Sequence, residues 1–232
     1  MMNNEQYVVT GIGLHNSLGI DVISSWNRLL LGDIGISALS WPKDDPTNYP
    51  ATHSALTVKL AAIDTVSEYE CIPLFTNSWR HWDNNTKSAL LSVNQAMVDS
   101  NLKSTNVGVV MSTIGGATSV TLELDAALTN GIRRLPPRKT LSSRMDYPAS
   151  QIAAIYKTTG TNIAIDSACT TGIASIEYAI NQMKCNTDLD AMIVAAADHM
   201  ASPHQLYWFQ NIGAIWSAAA TIIASKSVLH FI

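Results

Sequence analysis

Charge is scarce in this chain. Of its 232 residues, 14 are Lys or Arg and 18 are Asp or Glu, for a net charge of −4 and a pI near 5.8. No run of basic residues occurs, which argues against a nucleic acid or an anionic membrane surface as partner. Cysteine is also sparse. Cys71, Cys169 and Cys185 show neither CxxC nor metal-type spacing, a pattern that suits free thiols in a reducing compartment. The opening MMNNEQYVVTG has no basic segment leading into an apolar stretch, so no secretory signal is read. Nor does any window approach the roughly 18 uninterrupted apolar residues of a spanning helix. The absence of GxxxxGKS/T excludes a phosphate-cradling P-loop. Together these absences predict a soluble cytoplasmic protein without cofactor, membrane or nucleic-acid partner.

Apolar residues, by contrast, make up 47% of the chain, enough for a substantial core. One domain over residues 1–232 is the simplest organisation. Residues 7–13, YVVTGIG, read as a strand running into a glycine loop, and residues 21–31 as a helix closed by Gly32. Residues 37–60, rich in Pro, Ser, Thr and Asn, predict an excursion of loop and short strand. An amphipathic helix is expected over 84–102, a strand over 106–116 ending in glycines, and a helix from about Ser119 to Leu128. The Pro-Pro stretch RRLPPRKTLSSRMDYP predicts a loop. A helix with proline in its first turn and glycine beyond its end is expected over 148–160. NIAIDSA then reads as a strand, residues 170–186 as a helix and 191–200 as a strand. Strands alternating with helices, mostly apolar on all sides, imply an α/β layered domain around a largely buried sheet. The last 21 residues carry one charge, Lys226. So apolar a tail implies packing on its own domain or a surface covered by another chain.

Two glycine segments invite a ligand reading. GIGLHN, residues 11–16, follows the first expected strand, but the dinucleotide fingerprint requires a small residue where Asn16 stands. A strand-to-helix turn is the better account, as it is for STIGGATS at 112–119. Cys169 is the more informative residue. It falls where a strand ends and a helix begins, among the small residues Ala168, Thr170, Thr171 and Gly172. The N-terminus of a helix has unpaired N–H groups and the positive end of the dipole, which favour thiolate over thiol. The plainer alternative is a buried thiol serving as a small hydrophobe.

The segment IDSACTTGIASIEYA, residues 165–179, resembles the nucleophile region of the β-ketoacyl-acyl carrier protein synthases, the condensing enzymes of fatty acid and polyketide synthesis. Collinear likenesses flank it. VVTGIGLHNSLGIDVISSWNRLLLGDIGI, VGVVMSTIGG, RMDYPASQIAAIYKTTGTNIAID, LDAMIVAAADHMASP and FQNIGAI each resemble successive parts of that family, from about residue 7 to 215. The resemblance implies the thiolase-like fold of two similar α/β halves, mixed sheets layered with helices, of which this chain covers the N-terminal half. It also implies that Cys169 occupies the nucleophile position and that the substrate is an acyl group on the phosphopantetheine of an acyl carrier protein.

In the family, two histidines and a lysine of the second half complete the site. His15, His53, His81, His199, His204 and His230 stand outside the family's histidine motifs; His199, trailing a strand in AADHM, comes nearest and reads as a strand-end residue. The expectation is therefore a chain that accepts acyl groups slowly at best when alone. It would act as a chain-length-factor-like subunit, paired with a full-length ketosynthase through residues 107–116. Ser112, Thr113, Ile114 and Gly115 would then lie at the interface beside the partner's acyl tunnel. Chain-length factors generally lack the cysteine, whereas this chain keeps it. Two alternatives stand beside that reading: a condensing enzyme acting through Cys169 with its second half supplied elsewhere, and a noncatalytic scaffold or remnant.

Overall fold

A computed structural model describes residues 6–38, 59–61, 72, 75, 82–116, 118–129, 131, 137–198, 208–209 and 212–213. Three parallel strands form its centre: β3 (Val107–Ser112), β4 (Asn162–Ile165) and β5 (Ala191–Ala196), in the order β4-β3-β5. Every residue of β3 is buried. On one side Ser112 lies opposite Ile165, and on the other it lies opposite Ala196, so the carboxyl ends of all three strands are level.

Helices cover both faces of this sheet. α2 (Asn84–Ser100) and α5 (Tyr147–Tyr156) pack with Val109 and Met111 of β3 in a core that includes Phe75, Trp82, Leu90 and Ile152. Phe75 meets Trp82 edge-on at 5.4 Å, and the Trp82 indole N–H donates to Gln151 Oε1 at 3.0 Å. Side chains alternate along a strand, so Ser112 points to the opposite face. There it meets α6 (Thr171–Cys185), its Oγ donating to Ser175 Oγ at 2.6 Å. Because β4 and β5 flank β3, the β4–α6–β5 connection crosses over the middle strand. α1 (Val22–Leu30), α3 (Thr118–Thr129), α4 (Pro137–Ser142) and an antiparallel pair, β1 (Ile36–Ala38) with β2 (Lys59–Ala61), complete the described elements. None of the described helices is long and apolar enough to cross a membrane.

Several expectations need correction. Residues 7–13 form no strand. Gly11 and Gly13 lay this segment directly on α2, where a Cβ would stand 2.2 Å from the Ala96 carbonyl oxygen and 1.8 Å from that of Ser92. The N–H groups of Ile12 and Leu14 donate instead to Asp99 Oδ2 and Gln95 Oε1 of α2, each at 3.0 Å. Inside the expected Pro-Pro loop is α4, with Pro137 at its first residue, where the missing N–H costs nothing. α5 ends sooner than the glycine implied, on Lys157 in the left-handed conformation. Gly160 serves another purpose: a Cβ there would meet the backbone of Val107 and Gly108 at 2.8 Å. The sheet is fully buried only at β3, since Asn162 of β4 and Val194 and Ala196 of β5 are exposed.

Edge-to-edge strand pairing with another chain along residues 107–112, part of the expected 107–116 interface, does not fit the topology. Both hydrogen-bonding edges of β3 are taken within this chain, by β4 and by β5. Residues 214–232 of the apolar C-terminal stretch, Cys71 and every histidine except the buried His15 lie outside the described residues.

α1 begins with a reciprocal cap. Asp21 Oδ1 accepts from the Ser24 N–H at 2.7 Å, and Ser24 Oγ accepts from the Asp21 N–H at 3.3 Å. The hydrogen bond from the Ser24 N–H, helped by the Ser24 hydroxyl, holds the Asp21 carboxyl below its ordinary range. A carboxyl with a depressed folded value stabilises above its unfolded value, and that stability is lost as pH falls through the folded value. Asp21→Ala is expected to cost about 0.5–1 kcal/mol at neutral pH. In urea titrations its difference from the parent protein should shrink as the medium becomes acidic.

Candidate active site

In parallel α/β sheets, ligands bind outside the carboxyl ends of the strands. Three loops leave that edge here: residues 113–116 after β3, 166–170 after β4 and 197–198 after β5. Their common origin is tied by backbone bonds, from Thr113 N–H to the Ile165 carbonyl at 3.4 Å and from Ala197 N–H to the Ser112 carbonyl at 3.2 Å.

Cys169 sits in the loop after β4, in a single 3-10 turn (Ala168–Thr170) that runs straight into α6. The thiol-bearing residue is exposed. Ala168 before it has φ +48°, a left-handed conformation that costs a residue with a Cβ about 1–2 kcal/mol. Short polar bonds sustain it. Asp166 Oδ1 accepts from the Ala168 N–H at 2.9 Å. Thr171 Oγ1 accepts from the Ser167 N–H at 2.7 Å and donates to the Ala168 carbonyl at 2.6 Å. The Thr170 hydroxyl donates to the Ser167 carbonyl at 2.7 Å. On the α6 side, nothing lies within 4 Å of where a Gly172 Cβ would stand, which leaves the approach open. Cys169 therefore stands on a sharp turn ahead of a helix N-terminus, where backbone N–H groups carry partial positive charge. Cys185, at the far end of α6, is also exposed but has no such turn around it.

The loop after β3 is organised around Thr113, which is wholly buried. Its hydroxyl donates to Asp198 Oδ1 at 2.9 Å and accepts from the Gly116 N–H at 2.9 Å and from Asn85 Nδ2 at 3.2 Å. Asp198 Oδ1 also accepts from the N–H groups of Ile114 at 3.0 Å and Gly115 at 2.9 Å. Asn85 Nδ2 donates as well to the Gly116 carbonyl, and Gly116 has φ +50°. Of the four residues assigned to the acyl tunnel, Ser112 and Thr113 thus face inward, on Ser175 and on this network. Gly115 is half-buried, and Ile114 is the one with an exposed side chain.

Asp198 and Asn85 escaped the sequence reading. In AADHM attention falls on His199, which lies outside the described residues, while Asp198 beside it binds the turn after β3. The available signal was the STIGG turn, whose consecutive N–H groups demand an acceptor. Among the described residues no cluster of His, Cys, Asp or Glu has the arrangement of a metal site.

Residues 4–226 match the family model for the β-ketoacyl synthase N-terminal domain. The chain belongs to the β-ketoacyl synthase family. Related sequences include the 3-oxoacyl-[acyl-carrier-protein] synthase 2 of Coxiella burnetii (strain RSA 493 / Nine Mile phase I), 29% identical over 221 residues that cover 92% of this chain and 50% of the relative. The protein of the same name from Vibrio harveyi is 29% identical over 209 residues, covering 87% and 48%. Solved ketosynthases share the fold. The ishigamide ketosynthase/chain length factor superposes with a TM-score of 0.70 at 16% identity, covering 91% of this chain and 57% of that one. A β-ketoacyl synthase from Burkholderia phymatum STM815 gives 0.71 at 14% identity, covering 92% and 52%. The chain spans about half the length of the relatives it matches, and it has the thiolase-like architecture of the ketosynthases.

Within this ketosynthase domain, Thr113→Val keeps the side-chain volume but removes the hydroxyl at the centre of the network. Loss of about 1–3 kcal/mol is expected, because the Gly116 N–H and Asn85 amide lose a buried partner. Urea unfolding measures the loss, and faster hydrogen exchange at the Gly116 amide should accompany it.

Proposed function

We propose that this chain supplies the acyl-accepting half of a β-ketoacyl-acyl carrier protein synthase, with Cys169 as the nucleophile. The observation that carries this reading is the strained, hydrogen-bonded turn that holds an exposed Cys169 ahead of α6, at the carboxyl edge of the sheet. In the first step the Cys169 sulfur attacks the carbonyl carbon of an acyl thioester on a carrier-protein phosphopantetheine. The tetrahedral adduct collapses, the phosphopantetheine sulfur leaves and takes a proton, and the acyl group stays on Cys169. Carbon–carbon bond formation then needs a malonyl thioester that loses CO2 and attacks the enzyme-bound acyl carbon, returning Cys169 as leaving group. That second step requires donors for the developing enolate oxygen, which act best when preorganised. In this reading the histidines of the family's second half provide them. No cofactor takes part, and the partners are an acyl carrier protein and the complementary ketosynthase half.

A second reading rests on Ile114. Its exposed side chain leaves the same sheet edge as the Cys169 loop, held there by Asp198. Such a residue would serve a chain-length-factor-like role, limiting the length of acyl chain accommodated beside a complete ketosynthase. The likeness to the ishigamide ketosynthase/chain length factor supports this reading.

The two readings part in one experiment. Incubated with an octanoyl carrier protein, the purified chain is expected to gain one octanoyl mass, mapped to Cys169 by peptide mass spectrometry. Cys169→Ala should abolish the adduct while leaving thermal unfolding unchanged. A folded chain that takes up no acyl group, yet shifts the product length of an added complete ketosynthase, would favour the second reading. A chain that does neither would contradict both.

A further inference from the structure

The buried face of α6 is unusual in composition. A helix covering a sheet ordinarily presents an apolar stripe to it. Here the buried positions are Thr171, Ser175 and Ala179, while Ile173 and Ile176 are exposed. Two hydroxyls thus occupy successive turns of the inward face, and each is bonded. Ser175 takes the hydrogen bond from Ser112 at the end of β3. Thr171 reaches back to the loop ahead of the helix instead. Its hydroxyl takes the Ser167 N–H and gives its own hydrogen to the Ala168 carbonyl, which also accepts the Thr171 N–H. One buried hydroxyl therefore closes the segment Ser167–Thr171, which contains Cys169, back on itself.

We infer that Thr171 is a positioning residue for the Cys169 sulfur: its hydroxyl fixes the Ser167–Thr171 loop that presents the thiol. The inference rests on the proposed role of Cys169 as nucleophile, and the geometry behind it is specific. The left-handed Ala168 gains nothing from its own side chain, so the conformation persists only while its surroundings hold it. The two restraints around it differ in kind. Asp166 acts from the exposed side of the loop, where water competes for its hydrogen bond. Thr171 is 4% exposed and its two bonds are part-buried, so water competes for them less than for the Asp166 bond. Without the hydroxyl, the Ser167 N–H loses a partner at 2.7 Å, and the Ala168 carbonyl keeps only the backbone N–H. The loop then relaxes toward ordinary backbone conformations, and the sulfur leaves its place before the first turn of α6. A displacement of about 1 Å at a reacting atom is enough to cost orders of magnitude in rate.

The test uses Cys185 as an internal reference, since both thiols are exposed and lie at opposite ends of one helix. Iodoacetamide alkylation of the two cysteines is followed by peptide mass spectrometry in the parent chain, Thr171→Val and Thr171→Ser. Hydrogen exchange at the Ser167 amide and thermal unfolding are measured alongside. Thr171→Val should lower the Cys169-to-Cys185 rate ratio about tenfold and expose the Ser167 amide to exchange. Thr171→Ser, which keeps the hydroxyl, should restore both. Should Thr171→Val fail to fold, Thr171→Ala serves as the second hydroxyl-free variant with the same expectation. A ratio in the hydroxyl-free variants equal to or above that of the parent chain overturns the inference, whatever happens to stability. Octanoyl transfer is scored separately. Its absence from the parent chain counts against the proposed function, while the alkylation ratio still decides the role of Thr171.

Discussion

The structure depends on a single constraint: β3 is hydrogen-bonded along both of its edges and buried along its whole length. A strand in that position fixes the register of its neighbours. Ser112 is level with Ile165 on one side and Ala196 on the other, so the three following loops begin at the same height. From this alignment the rest follows. The loop after β5 can deliver Asp198 to the turn after β3, and the loop after β4 can place Cys169 at the same edge. A slip of one residue would reverse every side chain of a strand between faces. Met111 would then exchange places with Ser112, losing both the apolar core against α2 and α5 and the Ser112–Ser175 bond.

The polar chemistry at that edge falls into two clusters that work alike. Around Thr113 a buried hydroxyl binds a carboxylate, a backbone N–H and an amide, and so shapes the turn that carries Ile114. Around Thr171 a buried hydroxyl binds an N–H and a carbonyl, and so shapes the turn that carries Cys169. In each case a threonine next to a left-handed or glycine-rich segment supplies fixed partners where secondary structure has run out. Buried hydrogen bonds of this kind contribute little net stability, but leaving them unmade is costly. They therefore specify one loop conformation more than they stabilise the domain. A site that must place reacting atoms before a reaction begins needs that kind of rigidity.

Much of this was legible in the sequence. The apolar runs within 106–116, NIAIDSA and 191–200, separated by helical patterns, announced buried strands alternating with helices, though not that the three strands run parallel, and the junction at Cys169 was placed correctly at the start of a helix. Apart from α4, where Pro137 opens a helix instead of preventing one, the misreadings share a cause: they depend on partners distant in sequence. Residues 7–13 have strand composition, but only the fold reveals that their N–H groups meet Gln95 and Asp99 of α2. That β3 is central, and so closed to a partner strand, is a fact of topology and not of its own residues. Gly160 looks like a helix terminator until the backbone of Val107 is seen pressed against it. Asp198 is one acidic residue among many until the STIGG turn is folded onto it.

The central claim is that the aligned strand ends make Cys169 an acyl acceptor, and protection against alkylation tests it most directly. The chain is treated with iodoacetamide after incubation with an octanoyl carrier protein or with the unacylated carrier protein. The account predicts that acylation spares Cys169 while Cys185 is labelled at an unchanged rate. Equal labelling of Cys169 after both incubations, in a chain that remains folded, would contradict it.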